Sequence, residues 1–454
     1  MYGAAGQSVA WCNEETTVDE IMSRLVTETE TTLHGLPRSG VGDMDFSFSE
    51  ESLAVQAQLQ GFYSDHIIPR WREWQSSIKR DDVPEPDFIP GLRELARSQG
   101  LWNLALPDLA DGDPGTRLSN LDYAPLAEYM GRFHGSALVF NCQPPDVPNM
   151  IALQHDANAA QRERWLAPLL EGTMRSAFAM TEYDVASSDA TNIATSMQRD
   201  GDDYVIHGHK WYITGAAHPD CAFFIVMALT DPEASRGRQH STIIVPTATE
   251  GVCVKRELSY LGGRDSVAPI GEVTFSDVRV SAENLLGTEG DGFVSGQVRL
   301  GPARVHHCMR AIGNCEMLIE LMMARAGERS AFGRRVSEYD SIQHSIASSR
   351  IELEQARLMV LKTAWLLDRD GFRAARREVS MIKVAVAQTY GRIADRALQV
   401  FGAMGGSEDT PIAGAYAWAR AFRIGDGPDE VHLRQIYRME EEPAFTIAES
   451  PHIL

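Results

Sequence analysis

Tyr204–Thr214 reads YVIHGHKWYIT, and four further runs follow it: AFFIVMAL (222–229), STIIVP (241–246), GVCVKREL (251–258) and GEVTFSDVRV (271–280). Each is short, rich in β-branched and aromatic residues, and bounded by turn formers. That texture predicts a mostly antiparallel β domain of about a hundred residues. Working outward, the period changes on both sides. Upstream, Ser47 and Glu50 have capping-box spacing, and Leu53, Val55, Leu59, Phe62, Tyr63, His66 and Ile67 then recur at helical intervals. Helical patterns continue through 92–99, 121–132, 150–153 and 161–171, broken by the Pro-rich PEPDFIPG and QPPDVPN. Downstream, 3.6-residue patterns over 292–327, 340–370, 376–402 and 409–424 predict an antiparallel helical bundle. The fold class is therefore α+β. A loosely structured extension over 1–45 precedes a helical domain over 46–177. A middle β domain over 178–290 and a helical bundle over 291–454 complete the chain.

The 454 residues include 42 basic and 63 acidic ones, for a net charge of -21. So acidic a chain repels a polyphosphate backbone, which argues against nucleic-acid binding. The acidic excess falls before residue 291, and the last third is balanced. An anionic small molecule can bind there without opposing the global field. Six cysteines stand at 12, 142, 221, 253, 308 and 315 without a CxxC pair, as expected for reduced thiols. The first basic residue is Arg24 and the longest apolar run, 222–229, is too short to cross a bilayer. A cytoplasmic protein with no membrane partner is expected.

No HExxH, GxSxG or P-loop is present, nor a GxGxxG opening a βαβ unit. His207 and His209 lack an obvious third ligand, so a hairpin turn is expected there rather than a metal site. His306–His307 reads as packing or a polar helix surface. Four segments stand out. FAMTEYDVASSDATN (178–192) gathers small and hydroxyl residues that either form a plain connection or bind a phosphate or heteroaromatic edge. KWYIT (210–214) is either an ordinary strand or an aromatic wall with a hydroxyl at its end. QVFGAMGG (399–406) is either a helix cap or a close-approach surface for a ligand or second subunit. RIGDGPDEVH (423–432) sets Asp426 between two glycines, as a turn or cap residue or as a carboxylate open to a substrate.

In this order the segments resemble the acyl-CoA dehydrogenase family over about residues 48–440. WLAPLLEGTMRSAFAMTE (165–182), GEVTFSDVRVSAENLLG (271–287), ERSAFGR (328–334) and QVFGAMGG carry the resemblance. FNCQPPDVPNM (140–150), DVASSDATN, GPARVHHCMR (301–310) and DGPDEVH are similar to a narrower branch. It includes animal proteins fused to a phosphotransferase-like domain. The resemblance implies FAD and a homodimer or homotetramer with the flavin at a subunit interface. Phe178, Met180, Thr181, Ser187, Tyr212 and Thr214 would meet the flavin. Arg329, Phe332, Gln399, Gly402 and Ala403 would hold its pyrophosphate or adenine side, partly from a neighbouring subunit. Pro428 and Glu430 would lie on the flavin side of the base loop, and Ser188, Arg304 and Gly427 would line the acyl-CoA site. The base would be Asp426, where the family usually has Glu, because the alternative base position is Ala303. Tyr183 in place of Pro, the longer DVASS turn, Asp340 in place of Gln and Pro428 in place of a small hydroxyl residue depart from the family pattern.

The implied chemistry is α,β-dehydrogenation of an acyl-CoA thioester, its chain medium, long, branched or 4-hydroxylated, with electrons passed to an electron-transfer flavoprotein. Burial of Asp426 beside flavin and an acyl chain is expected to raise its pKa and make it a better base. An oxidase of the nitroalkane or acyl-CoA oxidase kind is the alternative within flavoenzymes. A non-catalytic flavoprotein that binds nucleic acid is the alternative of another class.

Overall fold

Residues 44–77, 86–265 and 267–441 are described by a computed structural model. The extension expected over 1–45 lies outside them apart from Met44 and Asp45. Helix α1 spans Glu50–Phe62, and its cap is Ser49, whose hydroxyl accepts the Ser52 N–H. The cap lies two residues beyond the Ser47 read from the sequence, so Glu50 and Glu51 fall in the first turn, where they suit the helix dipole. Leu53 faces solvent, 53 % exposed, while Leu59 and Phe62 are buried. Helices α2 (Trp71–Ser77), α3 (Ile89–Ser98), α4 (Asn120–Gly131), α5 (Asp146–Asp156) and α6 (Ala167–Glu171) complete the amino-terminal layer.

Eight strands follow: β1 Arg175–Ala179, β2 Ser196–Asp200, β3 Asp203–Ile213, β4 Cys221–Leu229, β5 His240–Pro246, β6 Val252–Leu258, β7 Ile270–Ser281 and β8 Leu285–Leu286. The order is β6-β7-β3-β2-β4-β5-β8, with β1 added against β4. Pairing is antiparallel except for β1 and β2 against β4. Side chains alternate across β4. Phe223, Ile225 and Met227 enter the helical core, and Phe224, Val226 and Ala228 a second core behind the sheet. A strand buried on both faces reads as one continuous apolar run, as AFFIVMAL does. His207 and His209 lie within β3, beside a bulge, and not in a hairpin turn.

The bundle is built from α7 (Gly292–Glu328), α8 (Asp340–Phe401), α9 (Ile412–Phe422) and α10 (Asp429–Glu441). Gly371, at φ 77° and ψ 172°, breaks α8 into the two helical stretches the periodicity indicates. Helix α10 lies beyond the four periodic stretches read from the sequence. Helix α7 crosses α4 at glycines: a Cβ on Gly131 would lie 2.2 Å from the Arg310 carbonyl oxygen, and one on Gly313 1.8 Å from that of Glu128. This crossing presses α7 against the amino-terminal layer, and α7 carries Arg299, Arg304 and His307. Among the described residues, no helix is long and apolar enough to cross a membrane.

Candidate active site

Between α9 and α10 the chain turns through Asp426 at φ 54° and Gly427 at φ 105°. A left-handed aspartate costs of order 1–3 kcal/mol and persists only where the surroundings impose it. Here the loop carbonyls are gripped from three helices. Asp426 O accepts from Arg304 Nε of α7 at 2.9 Å and from His432 Nε2 of α10 at 3.3 Å. Lys383 Nζ of α8 donates to the carbonyls of Phe422 and Gly427. Asp429 anchors the far side, accepting from Arg423 Nε at 2.7 Å. Lys383 is 0 % exposed, and its ammonium also lies 4.5 Å from the centre of the Phe422 ring.

The Asp426 carboxyl group itself is treated differently. Its side chain is 24 % exposed, and one side-chain contact is made to it among the described residues: His307 Nε2, 3.4 Å from Oδ2. Burial pushes the Asp426 pKa up, but His307, Arg304, Arg299 and Lys383 outweigh it and hold the carboxyl below its ordinary value. Without flavin or acyl chain beside it the shift is thus downward, because the cations arrive from α7 and α8, distant in sequence from the loop. His307 is itself pushed down to about 4, chiefly by burial. At neutral pH it is uncharged, and the permanent cations facing the carboxylate are the two arginines and the lysine. The packing expected of His306–His307 holds for His306, buried against Tyr123, whereas His307 faces the loop.

Arg299 ties this loop to the β domain. It is buried, its guanidinium lies 4.3 Å from the centre of the Phe178 ring, and its Nε donates to Asn149 Oδ1 at 2.7 Å. Asn149 Nδ2 donates to Ser176 Oγ at 2.9 Å, and the Ser176 N–H and hydroxyl both donate to Asp146 Oδ1 at 2.8 Å. Arg175 Nε completes the chain, 3.0 Å from Asp146 Oδ2. The QPPDVPN break is therefore a polar floor beneath Arg299. Of the residues expected to meet the flavin, Phe178 is the one this network reaches.

The others gather around β3. Lys210 is fully buried, and its Nζ donates to Met180 O at 2.9 Å, Met227 O at 2.7 Å and Glu182 Oε1 at 2.9 Å. Burial pulls Lys210 down to about 8 against the pull of Glu182, so the pair is ionic at pH 7. Glu182 also accepts the N–H groups of Ala194 and Thr195, both at 2.8 Å. The 178–192 loop is thereby pinned at Met180 and Glu182, and Thr181 and Ser188 are left exposed. The Ser187 hydroxyl is used inside the loop, accepting the Glu182 N–H at 2.8 Å. Tyr212, at φ 51° and 38 % exposed, donates to Ser259 O at 3.3 Å, and Thr214 is half-buried. Tyr183 stacks on His209 at 5.0 Å, filling the position where a proline was expected.

A second group sits at the other ends of the bundle helices. Arg329 caps α7, and Phe332, at φ 51°, tips the hairpin that follows and is fully exposed. Gln399, Gly402 and Ala403 are exposed at the end of α8, and Arg325 of α7 lies 5.4 Å from the Phe401 ring, so the two ends are neighbours. Pro428 is half-buried and Glu430 exposed. No group of three or more His, Cys, Asp or Glu suited to a metal occurs among the described residues.

The comparisons give the family. Profiles for the acyl-CoA dehydrogenase N-terminal, middle and C-terminal domains match residues 49–173, 177–278 and 290–440. A probable acyl-CoA dehydrogenase of Mycobacterium tuberculosis, FadE2, is 45 % identical over 89 % of this chain and 100 % of its own length. Acyl-CoA dehydrogenase family member 11 of Rattus norvegicus is 43 % identical over 89 % of this chain, which spans 52 % of that protein. The structure of a putative acyl-CoA dehydrogenase from Mycobacterium abscessus is similar at TM-score 0.84 and 42 % identity, over 87 % of this chain and 99 % of that one. The chain belongs to the acyl-CoA dehydrogenase family, whose members are FAD-dependent oxidoreductases acting on CH–CH bonds.

Proposed function

We propose that this protein dehydrogenates the α,β bond of an acyl-CoA thioester and that Asp426 takes the α-proton. The observation carrying this reading is the contrast within the base loop. Its main chain is clamped by Arg304, Lys383 and His432, while no N–H of a neighbouring backbone occupies the carboxylate among the described residues. A carboxylate so held is ionised at neutral pH and keeps an oxygen available for a proton. Aspartate is one methylene shorter than glutamate, a loss of reach of roughly 1.5 Å.

The chain's residues fit FAD. Phe332 is fully exposed, and a Cβ on Gly402 meets nothing within 4 Å, so both are open to a ligand. Phe178, Met180, Thr181, Tyr212 and Thr214 would border the ring, and Arg329, Phe332, Gln399 and Ala403 the remainder. Bound FAD supplies the oxidant that accepts the β-hydrogen with its electron pair. Ser188 and Gly427 would border the thioester, while Arg304 acts first on the loop it grips. Medium, long, branched or 4-hydroxylated chains, an electron-transfer flavoprotein as acceptor, a homodimer or homotetramer and a cytoplasmic location complete the reading. Anaerobic mixing of the yellow protein with a panel of acyl-CoAs tests it. Bleaching of the flavin by at least one member is expected, with slow peroxide formation in air. A colourless protein that refuses added FAD, or a flavin unmoved by the whole panel, contradicts it.

A further inference from the structure

Ala303 and His307 are four residues apart on α7 and share one face of the helix. Ala303 is buried at 2 % exposure and cannot ionise. One turn further on, His307 presents Nε2 to Asp426 Oδ2 at 3.4 Å. A carboxylate can only accept, so a neutral imidazole serves it from the tautomer protonated at Nε2. We infer that His307 is a positioning residue for the base: its Nε2–H donates to Oδ2 of Asp426 and turns the carboxylate so that Oδ1 receives the α-proton. The inference rests on the reading of Asp426 as the base.

Three observations support it. The main chain of Asp426 is fixed from α7, α8 and α10, but rotation of its side chain is restrained only by His307 among the described residues. The ring of His307 is itself held, its centre 6.0 Å from that of Phe422 at the end of α9. The third is charge. Asp426 from the loop, Arg310 and Arg299 from α7 and Lys383 from α8 face the imidazole. Burial and these cations keep it neutral, so it donates to the carboxylate without neutralising it as a buried arginine would. A contact of 3.4 Å is long for a hydrogen bond, and catalytic contacts of this kind tighten in the substrate complex. In the step served, the Cα–H bond breaks, an O–H bond forms on Oδ1, and the electron pair left on Cα closes the C=C bond as the β-hydrogen departs to the oxidant.

The test uses the FAD-loaded protein, with the rate of anaerobic flavin bleaching by an acyl-CoA followed against pH. His307→Leu removes the donor and should slow bleaching by about 10²-fold, the cost of roughly 1 Å of misplacement. It should also move the acid limb to higher pH, because a donor to the charged form lowers its pKa. Gln places an N–H near the position of Nε2, so His307→Gln should return both rate and limb toward wild type. Asn is too short, so His307→Asn should behave as Leu does. Should the Leu variant fail to fold, the Gln and Asn pair decides. Wild-type rate and limb in His307→Leu, or equal losses in Gln and Asn, overturn the inference. Asp426→Asn run in parallel separates the two readings. If it bleaches normally, the base assignment itself has failed. If it is inert while His307→Leu is normal, only the role of His307 has.

Discussion

Glu182 and Asp426 are both carboxylates withdrawn from bulk water, and they are kept in opposite ways. Glu182 is 5 % exposed and saturated: Lys210 and two backbone N–H groups occupy its oxygens. Asp426 is surrounded by more cations, yet Arg304 and Lys383 donate to loop carbonyls and Arg299 to Asn149, leaving its oxygens nearly bare. A saturated carboxylate is a fastener. One held charged by cations that do not touch it remains able to take a proton. Both shifts run downward, so the shift alone would not separate them. Hydrogen-bond occupancy does.

The comparison can be broken most severely at Asp426. Asp426→Asn should retain FAD and fold and lose turnover by about 10⁴-fold, the upper end of what a positioned base contributes. Equal steady-state rates in variant and wild type would remove the distinction. Lys210→Met acts on the other carboxylate. It leaves Glu182 buried and uncompensated, and should cost about 3–5 kcal/mol of stability in denaturant titrations. Because Lys210 also fixes Met180, FAD should be released more readily, which flavin fluorescence reports. A variant as stable as wild type would show that Glu182 is not a fastener. Adding Ala303→Glu to Asp426→Asn should recover a small part of the lost turnover, since the family resemblance implies an alternative base position there. No recovery would mean the α7 face cannot aim a carboxylate at the substrate.

The smallest effect is on pH dependence. Burial pulls His306 to about 3 and His218, His307 and His432 to about 4. The unfolded chain takes up protons below about 6.5, where the folded one still does not, so stability falls as pH drops from about 6.5 to about 4. Each histidine contributes a slope of up to about 1.4 kcal/mol per pH unit. Denaturation midpoints measured across that window should fall with acid, and a flat profile would contradict the neutral state assigned to His307.

The layers of this fold were legible because their signals are local. AFFIVMAL alternates between two cores, and Gly371 marks the break between two helical runs. Boundaries were less legible: Ser47 and Ser49 are both plausible caps, and the hydroxyl that meets Ser52 decides. Helix α10 was hidden by the turn residues of RIGDGPDEVH. Asp426 could be found from its two glycines and the family pattern, but its surroundings could not. Arg299, His307, Lys383 and His432 reach it from three helices, and no spacing rule joins residue 299 to residue 426. The signals that existed were indirect. Lys383 sits inside the apolar run VSMIKVAVAQ, where a lysine must find a partner, and His307 lies one turn beyond Ala303. The downward Asp426 shift in the ligand-free protein has the same origin. Burial is visible in composition; the cations that outweigh it are assembled only by folding.

The proton step can be read without turnover. An acyl-CoA incubated in heavy water with the FAD-loaded protein exchanges its α-hydrogen only if a base removes and returns it. Mass spectrometry should find rapid α-deuteration with wild type and a rate near the enzyme-free background with Asp426→Asn. Deuteration by that variant at the wild-type rate would contradict the assignment of Asp426 as the base.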